Sequence, residues 1–157
     1  MESFEKLYGE ILLGNESNLK NLIEQGINLE VCDEYGRTPI FYAIVKGFGE
    51  VVELLCESYA NINVCDKDGK TPLHFAAIHS RYGIAELLIR FGAVIDAIDT
   101  NGNTPLSDAV FYSKGYPDII LLLLKNGADS SLRNVHGVNP RELAESIDNY
   151  NLARLFK

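Results

Sequence analysis

Cysteine is scarce and unpaired: Cys32, Cys56 and Cys65 form no C-x-x-C pair, and no histidine stands at zinc-ligand spacing from them. That leaves no pattern for a zinc site, and three buried or semi-exposed thiols suit a reducing compartment. Long hydrophobic runs are missing as well, since the longest apolar block, Ile119 to Leu124, is far too short to span a bilayer. The opening Met1-Glu2-Ser3-Phe4-Glu5 is acidic and lacks the basic stretch and apolar run of a secretory signal. These absences predict a soluble cytoplasmic protein with no membrane partner. Positive charge is not in excess either: the formal net charge is −8, which argues against a nucleic-acid partner, because that affinity comes from Lys and Arg neutralising phosphates.

The acidity is uneven. Residues 1–32 hold six acids and two bases and residues 33–65 five and two, so the amino-terminal half carries −7 of the −8. This is either a solvated acidic face or a field that steers a basic partner. At 157 residues and 46% hydrophobic content, the chain is long enough for one domain with its own core.

What is present is a repeat. Asp33-Glu34-Tyr35-Gly36-Arg37-Thr38-Pro39-Ile40, Asp66-Lys67-Asp68-Gly69-Lys70-Thr71-Pro72-Leu73 and Asp99-Thr100-Asn101-Gly102-Asn103-Thr104-Pro105-Leu106 share the template D-x-x-G-x-T-P-[LI], with glycines 33 residues apart. A worn copy, Asn134-Val135-His136-Gly137-Val138-Asn139-Pro140-Arg141, follows after 35. Gly26, Tyr59, Gly92 and Gly127 keep the same steps of 33, 33 and 35.

This period, with Thr71-Pro72-Leu73-His74-Phe75-Ala76-Ala77, resembles the ankyrin repeat over nearly the whole chain. The resemblance implies an all-α repeat solenoid, in which helix-turn-helix pairs are joined by short β-hairpin-like loops. Local chemistry agrees. Gly36, Gly69 and Gly102 suit tight turns at positive φ, and the Asp three residues earlier can hold the turn amides. Thr offers a capping oxygen to the helix that follows, and Pro is preset for its first position. A second helix carries Val51, Val52, Leu54 and Leu55, or Ile84, Leu87, Leu88 and Ile89, as its core stripe.

One domain spans 1–157: an amino-terminal cap repeat at 1–32, full repeats at 33–65, 66–98 and 99–133, and a carboxy-terminal cap at 134–157. Ile11, Leu12, Gly14, Leu19 and Leu22 keep phase in the first cap. In the last, Arg141 replaces the expected Leu, giving a terminal repeat its polar outer face. The two extra residues of repeat four fall around Phe111-Tyr112-Ser113-Lys114-Gly115-Tyr116-Pro117-Asp118. They are either drift in a tolerant loop or a contact loop built on Tyr112 and Tyr116.

No catalytic, cofactor or metal site is expected. Gly47-Phe48-Gly49 mimics a dinucleotide-binding turn, but Val52 occupies the place of the third glycine and the period assigns Gly47 to the inter-helix turn of Gly14. His74 and His79, about 140° apart around a helix, cannot share a metal. In the family the motif His serves hydrogen bonding at the hairpin–helix junction, which the resemblance carries to His74. Phe41 and Ser107 replace it in their repeats. His79 faces outward, and His136 sits at a hairpin tip. Cys32 and Cys65, one period apart, should stand about 10 Å from each other, beyond disulfide reach. The sequon Asn15-Glu16-Ser17 matters only in a secreted protein.

Ankyrin proteins bind through the concave face formed by hairpin tips and first helices. Carried across residue by residue, the family's variable positions are Glu34, Tyr35, Arg37, Val45 and Lys46 in repeat two, and Lys67, Asp68, Lys70, Ile78 and His79 in repeat three. In repeat four they are Thr100, Asn101, Asn103, Phe111 and Tyr112. Tyr35, Val45, Ile78, Phe111 and Tyr112 look like interface anchors, or else pack on neighbouring loops.

The resemblance implies a non-enzymatic protein-binding module, monomeric on its own. Short acidic ankyrin proteins resemble the immunity proteins encoded beside bacterial polymorphic or contact-dependent toxins, as does the capping stretch Asn139 to Tyr150. The role so implied is neutralisation of a cognate toxin, often a basic nuclease. The alternative is a generic adaptor or a bacterial effector docking on a host protein.

Overall fold

Where Thr-Pro or Asn-Pro closes a template copy, a helix begins. In the computed structural model, which describes residues 2–147 and 151–156 with side chains from Glu5 onward, the helices come in pairs. They are α1 Glu2–Leu13 and α2 Glu16–Glu24, α3 Pro39–Lys46 and α4 Gly49–Glu57, α5 Pro72–Ile78 and α6 Tyr82–Arg90, α7 Pro105–Tyr112 and α8 Asp118–Lys125. Then α9 Pro140–Ser146 is followed by a 3-10 turn, Leu152–Phe156. Asp148, Asn149 and Tyr150 of the capping stretch, like Met1, lie outside the described residues.

Each template proline stands at the first helical position behind an extended residue, with ψ of 168° at Thr38, 167° at Thr71 and 165° at both Thr104 and Asn139. The side-chain cap varies more than the template predicts. Thr104 accepts from the Ser107 amide at 3.3 Å and Asn139 from the Glu142 amide at 2.8 Å. Thr38 makes no such bond, and at Thr71 the hydroxyl meets His74 Nδ1 at 2.9 Å instead.

The first helices α1, α3, α5, α7 and α9 pack side by side in one row, and α2, α4, α6 and α8 form a second row behind them. Between the rows runs one continuous core, with Leu7, Ile11, Leu19, Ile40, Phe41, Ile44, Leu55, Leu73, Leu88, Leu106, Ile120 and Leu123 fully buried. Burial of one such side chain is worth about 1.5–3 kcal/mol, and Ala76, Ala77 and Ala109 let α5 and α7 approach closely. In the second helices the stripe is narrower than expected. Leu54, Leu87 and Ile89 are only partly buried, and Ala85 takes the enclosed place.

The loops between repeats contain no strand among the described residues. Each is a single closed turn, with the Asp33 amide donating to the Arg37 carbonyl at 3.1 Å, and it meets the next through one backbone bond. These run from Lys67 N to Tyr35 O, Thr100 N to Asp68 O and Val135 N to Asn101 O, each 2.9 Å. One bond per tip gives the hairpin outline without a β-ladder. A second stitch joins the far edge, where Glu30, Asn63 and Asp96 side chains accept from the amides of Asn61, Val94 and Asp129 at 2.8, 2.8 and 3.0 Å.

Gly47 closes α3 in the left-handed region at φ 80°, the place Gly14 takes at φ 64°. No helix among the described residues is long and apolar enough to cross a membrane.

Candidate functional site

The tips are built from one aspartate each. Asp33 Oδ1 accepts from the amides of Tyr35 and Arg37, both at 2.8 Å, and Asp66 and Asp99 repeat the geometry within 3.0 Å. Asn134 does the same for His136 and Val138 in the last copy. With Oδ1 so occupied, Oδ2 is left for a partner. In the first copy Tyr42 donates its hydroxyl to Asp33; burial works against this carboxylate, but the Tyr42 and amide bonds hold its pKa below the usual value.

In the next copies the partner comes from the preceding repeat. Arg37 reaches Asp66 at 3.4 Å, and Lys70 reaches Asp99 at 2.7 Å. One repeat on, the ion pair becomes an amide pair, Asn134 Nδ2 donating to Asn103 Oδ1 at 2.9 Å. Each cation also touches the next first helix. The Arg37 guanidinium lies 5.1 Å over the Phe75 ring, while Lys70 Nζ donates to Asp108 at 2.8 Å. Burial alone would lower the Lys70 pKa, but the two carboxylates outweigh it and raise it. Asp99 is held low by Lys70 and the turn amides against burial, whereas burial prevails at Asp108 and its pKa is raised.

His74 is fully buried at the same junction. Its Nδ1 accepts from the Thr71 amide at 3.1 Å and its Nε2–H donates to the Asn103 carbonyl at 3.1 Å, so it joins its own turn to the next repeat. Burial is the main cause that lowers its pKa, to about 4. A proton on Nδ1 would also face the Thr71 amide donor. Phe41 and Ser107 settle the equivalent junctions differently. Phe41 is buried edge-on against Phe75 with centroids 4.9 Å apart, and Ser107 Oγ takes the Thr104 amide at 3.4 Å.

Of the residues singled out as variable positions, Glu34, Tyr35, Lys46, Lys67, Asp68, His79, Thr100, Asn101, Phe111 and Tyr112 are exposed. Arg37, Lys70 and Asn103 have their polar ends engaged between repeats, and Val45 and Ile78 are half-buried. Tyr35, Phe111 and Tyr112 keep 55%, 63% and 43% of their surface in solvent, more than a core aromatic retains. Phe111 and Tyr112 meet edge to face at 5.0 Å. In the loop beyond them, Ser113 is buried and donates to the Val110 carbonyl at 3.0 Å, so that Tyr116 projects outward.

Phe111 and Tyr112 border a cleft of about 390 Å³ that also takes in Lys70, Asp99, Asn101, Asp108, Asn134 and His136. The sequence reading missed Asp108 and Asn134 as members of this site. A larger groove of about 540 Å³ lies along the second row, lined by Tyr82, Asp118, Leu121, Leu122 and Lys125. It lacks the converging buried polar groups of the cleft. No cluster of three or more His, Cys, Asp or Glu with metal-binding geometry occurs among the described residues. Cys32 and Cys65 are exposed and Cys56 is buried, all three as free thiols.

Comparison with protein families matches the chain to the profile described as ankyrin repeats, three copies, over residues 11–66 and 60–134. No curated protein matches it.

Proposed function

The chain belongs to the ankyrin-repeat family, and we propose that this protein–protein interaction module is an immunity protein that binds and neutralises a basic bacterial toxin through its tips and first helices. Repeats of this family are generally non-enzymatic interaction modules. The observation that carries the reading is the exposure of Tyr35 at its tip and of Phe111 and Tyr112 at the end of the first helix α7. None of the three is needed by its turn or by the core, and such aromatics are the usual anchors of a protein interface. The acidity of residues 1–65 adds a field that accelerates encounter with a basic partner and disfavours an acidic one.

Co-expression with the product of the adjacent gene tests the role. The expected result is a stable complex that suppresses the neighbour's toxicity and is weakened about tenfold or more by Phe111→Ala or Tyr35→Ala. A neighbour that is neither toxic nor bound would refute the immunity role. Undiminished affinity in both variants would refute the assignment to this face.

A further inference from the structure

Counting from each template glycine, the sixth residue is Tyr42, Phe75, Asp108 and Leu143 in successive copies. Two aromatics and a leucine thus share a position with one aspartate. Asp108 is 5% exposed, and burying a carboxylate where the fold accepts a ring costs stability unless the charge is matched. The match is incomplete. Lys70 bonds Oδ2 of both Asp99 and Asp108, so one ammonium serves two carboxylates. Asp99 fills its Oδ1 with the amides of Asn101 and Asn103, but among the described residues nothing donates to Asp108 Oδ1. That oxygen is not sealed away: Asp108 lines the cleft beneath Phe111 and Tyr112. Burial raises the pKa of Asp108, and the Lys70 bond only partly offsets it.

We propose that this cleft receives an arginine side chain of the partner, its guanidinium bonding Asp108 Oδ1 and stacking on the exposed rings of Phe111 and Tyr112. The proposal rests on the reading of this face as the binding surface. Net negative charge at the floor selects a cation. Aromatic rings at the rim favour the planar guanidinium over a hydrated ammonium. The molecule already makes such a contact one repeat earlier, where Arg37 lies over Phe75 at the position equivalent to Asp108. The entering arginine would supply the donor that Lys70 alone does not.

The probe is N-acetyl-arginine amide, titrated into the full chain and followed by NMR at Asn101, Asp108, Phe111, Tyr112 and His136, with the uncharged N-acetyl-citrulline amide as control. Arginine amide is expected to shift these signals together and saturably. Citrulline amide and the Asp108→Asn variant should each weaken the response about tenfold or more. Asp108→Phe installs the ring that Phe75 supplies in the preceding repeat and is expected to keep the fold and abolish binding. Equal response to citrulline amide, or unchanged arginine binding in both folded variants, would overturn the assignment. A protein partner that binds wild type and Asp108→Asn alike would also overturn it, while leaving the protein-binding reading intact. Arginine binding without any protein partner would do the reverse.

Discussion

Acid should weaken the stack at one histidine. An unfolded chain binds a proton at His74 with the ordinary pKa of about 6.5, but the folded protein resists until about 4. The unfolded state therefore holds more protons throughout that window, and stability falls as pH drops through it. Linkage over the interval from pH 7 to pH 5 gives a loss of about 2 kcal/mol from this group. His79, also lowered by burial, acts in the same direction, so the measurement belongs in a His79→Gln background. Asp33 and Asp99 are held low, and their contributions are lost only as pH falls further, through their own depressed values. Urea unfolding at pH 7, 6 and 5 gives the slope. His74→Ser, the residue found at this place in the next repeat as Ser107, should be less stable at pH 7 and lose about 2 kcal/mol less between pH 7 and 5, while Asp108, its pKa raised by burial, contributes the same opposing slope in both proteins. An unchanged slope in that variant, or an NMR titration of His74 near 6.5, would refute the reasoning.

Four further outcomes follow from the structure. Gly69→Ala should cost about 2 kcal/mol or more in urea unfolding, because at φ 75° its Cβ would stand 2.9 Å from the Thr100 backbone nitrogen. Gly137→Ala, at φ 74° in open space, should cost only about 1 kcal/mol for the left-handed conformation. Tyr59, 95% exposed at φ 62° where Gly26, Gly92 and Gly127 stand in phase, should yield about 1 kcal/mol of added stability when changed to Gly. Iodoacetamide should label Cys32 and Cys65 quickly and Cys56 only on unfolding, since burial encloses Cys56 and pushes its thiol to about 11.

The period carried most of the architecture because each template residue answers a local need: positive φ at Gly36, turn amides at Asp33, a helix start at Pro39. Local need is also what a repeat states most openly. The ion pairs joining repeats were half legible, since Arg37 and Lys70 recur in phase with Asp66 and Asp99 but nothing local says that they cross to the next copy. Lys70 and Asn103 therefore read as surface residues, although their polar ends are engaged between repeats. Asp108 escaped for the opposite reason. Its departure from Tyr42 and Phe75 was visible in register, but only burial and the position of Lys70 give it weight.

The forward reach of Arg37 and Lys70 also gives the molecule a grammar of length. The copies at 33–65 and 66–98 each carry a donor for the repeat that follows, Arg37 for Asp66 and Lys70 for Asp99, a head-to-tail bond that closes no ring and sets no limit. Tandem duplication of residues 66–98 would leave each donor opposite an aspartate, so such growth is written into the seam itself. Val138 holds the donor position of the last copy with a side chain that has no polar hydrogen, and Arg141 and Glu145 beyond it pair with one another. The forward donor thus fades in two steps, from the Lys70 cation to the Asn103 amide, which accepts instead, and then to Val138.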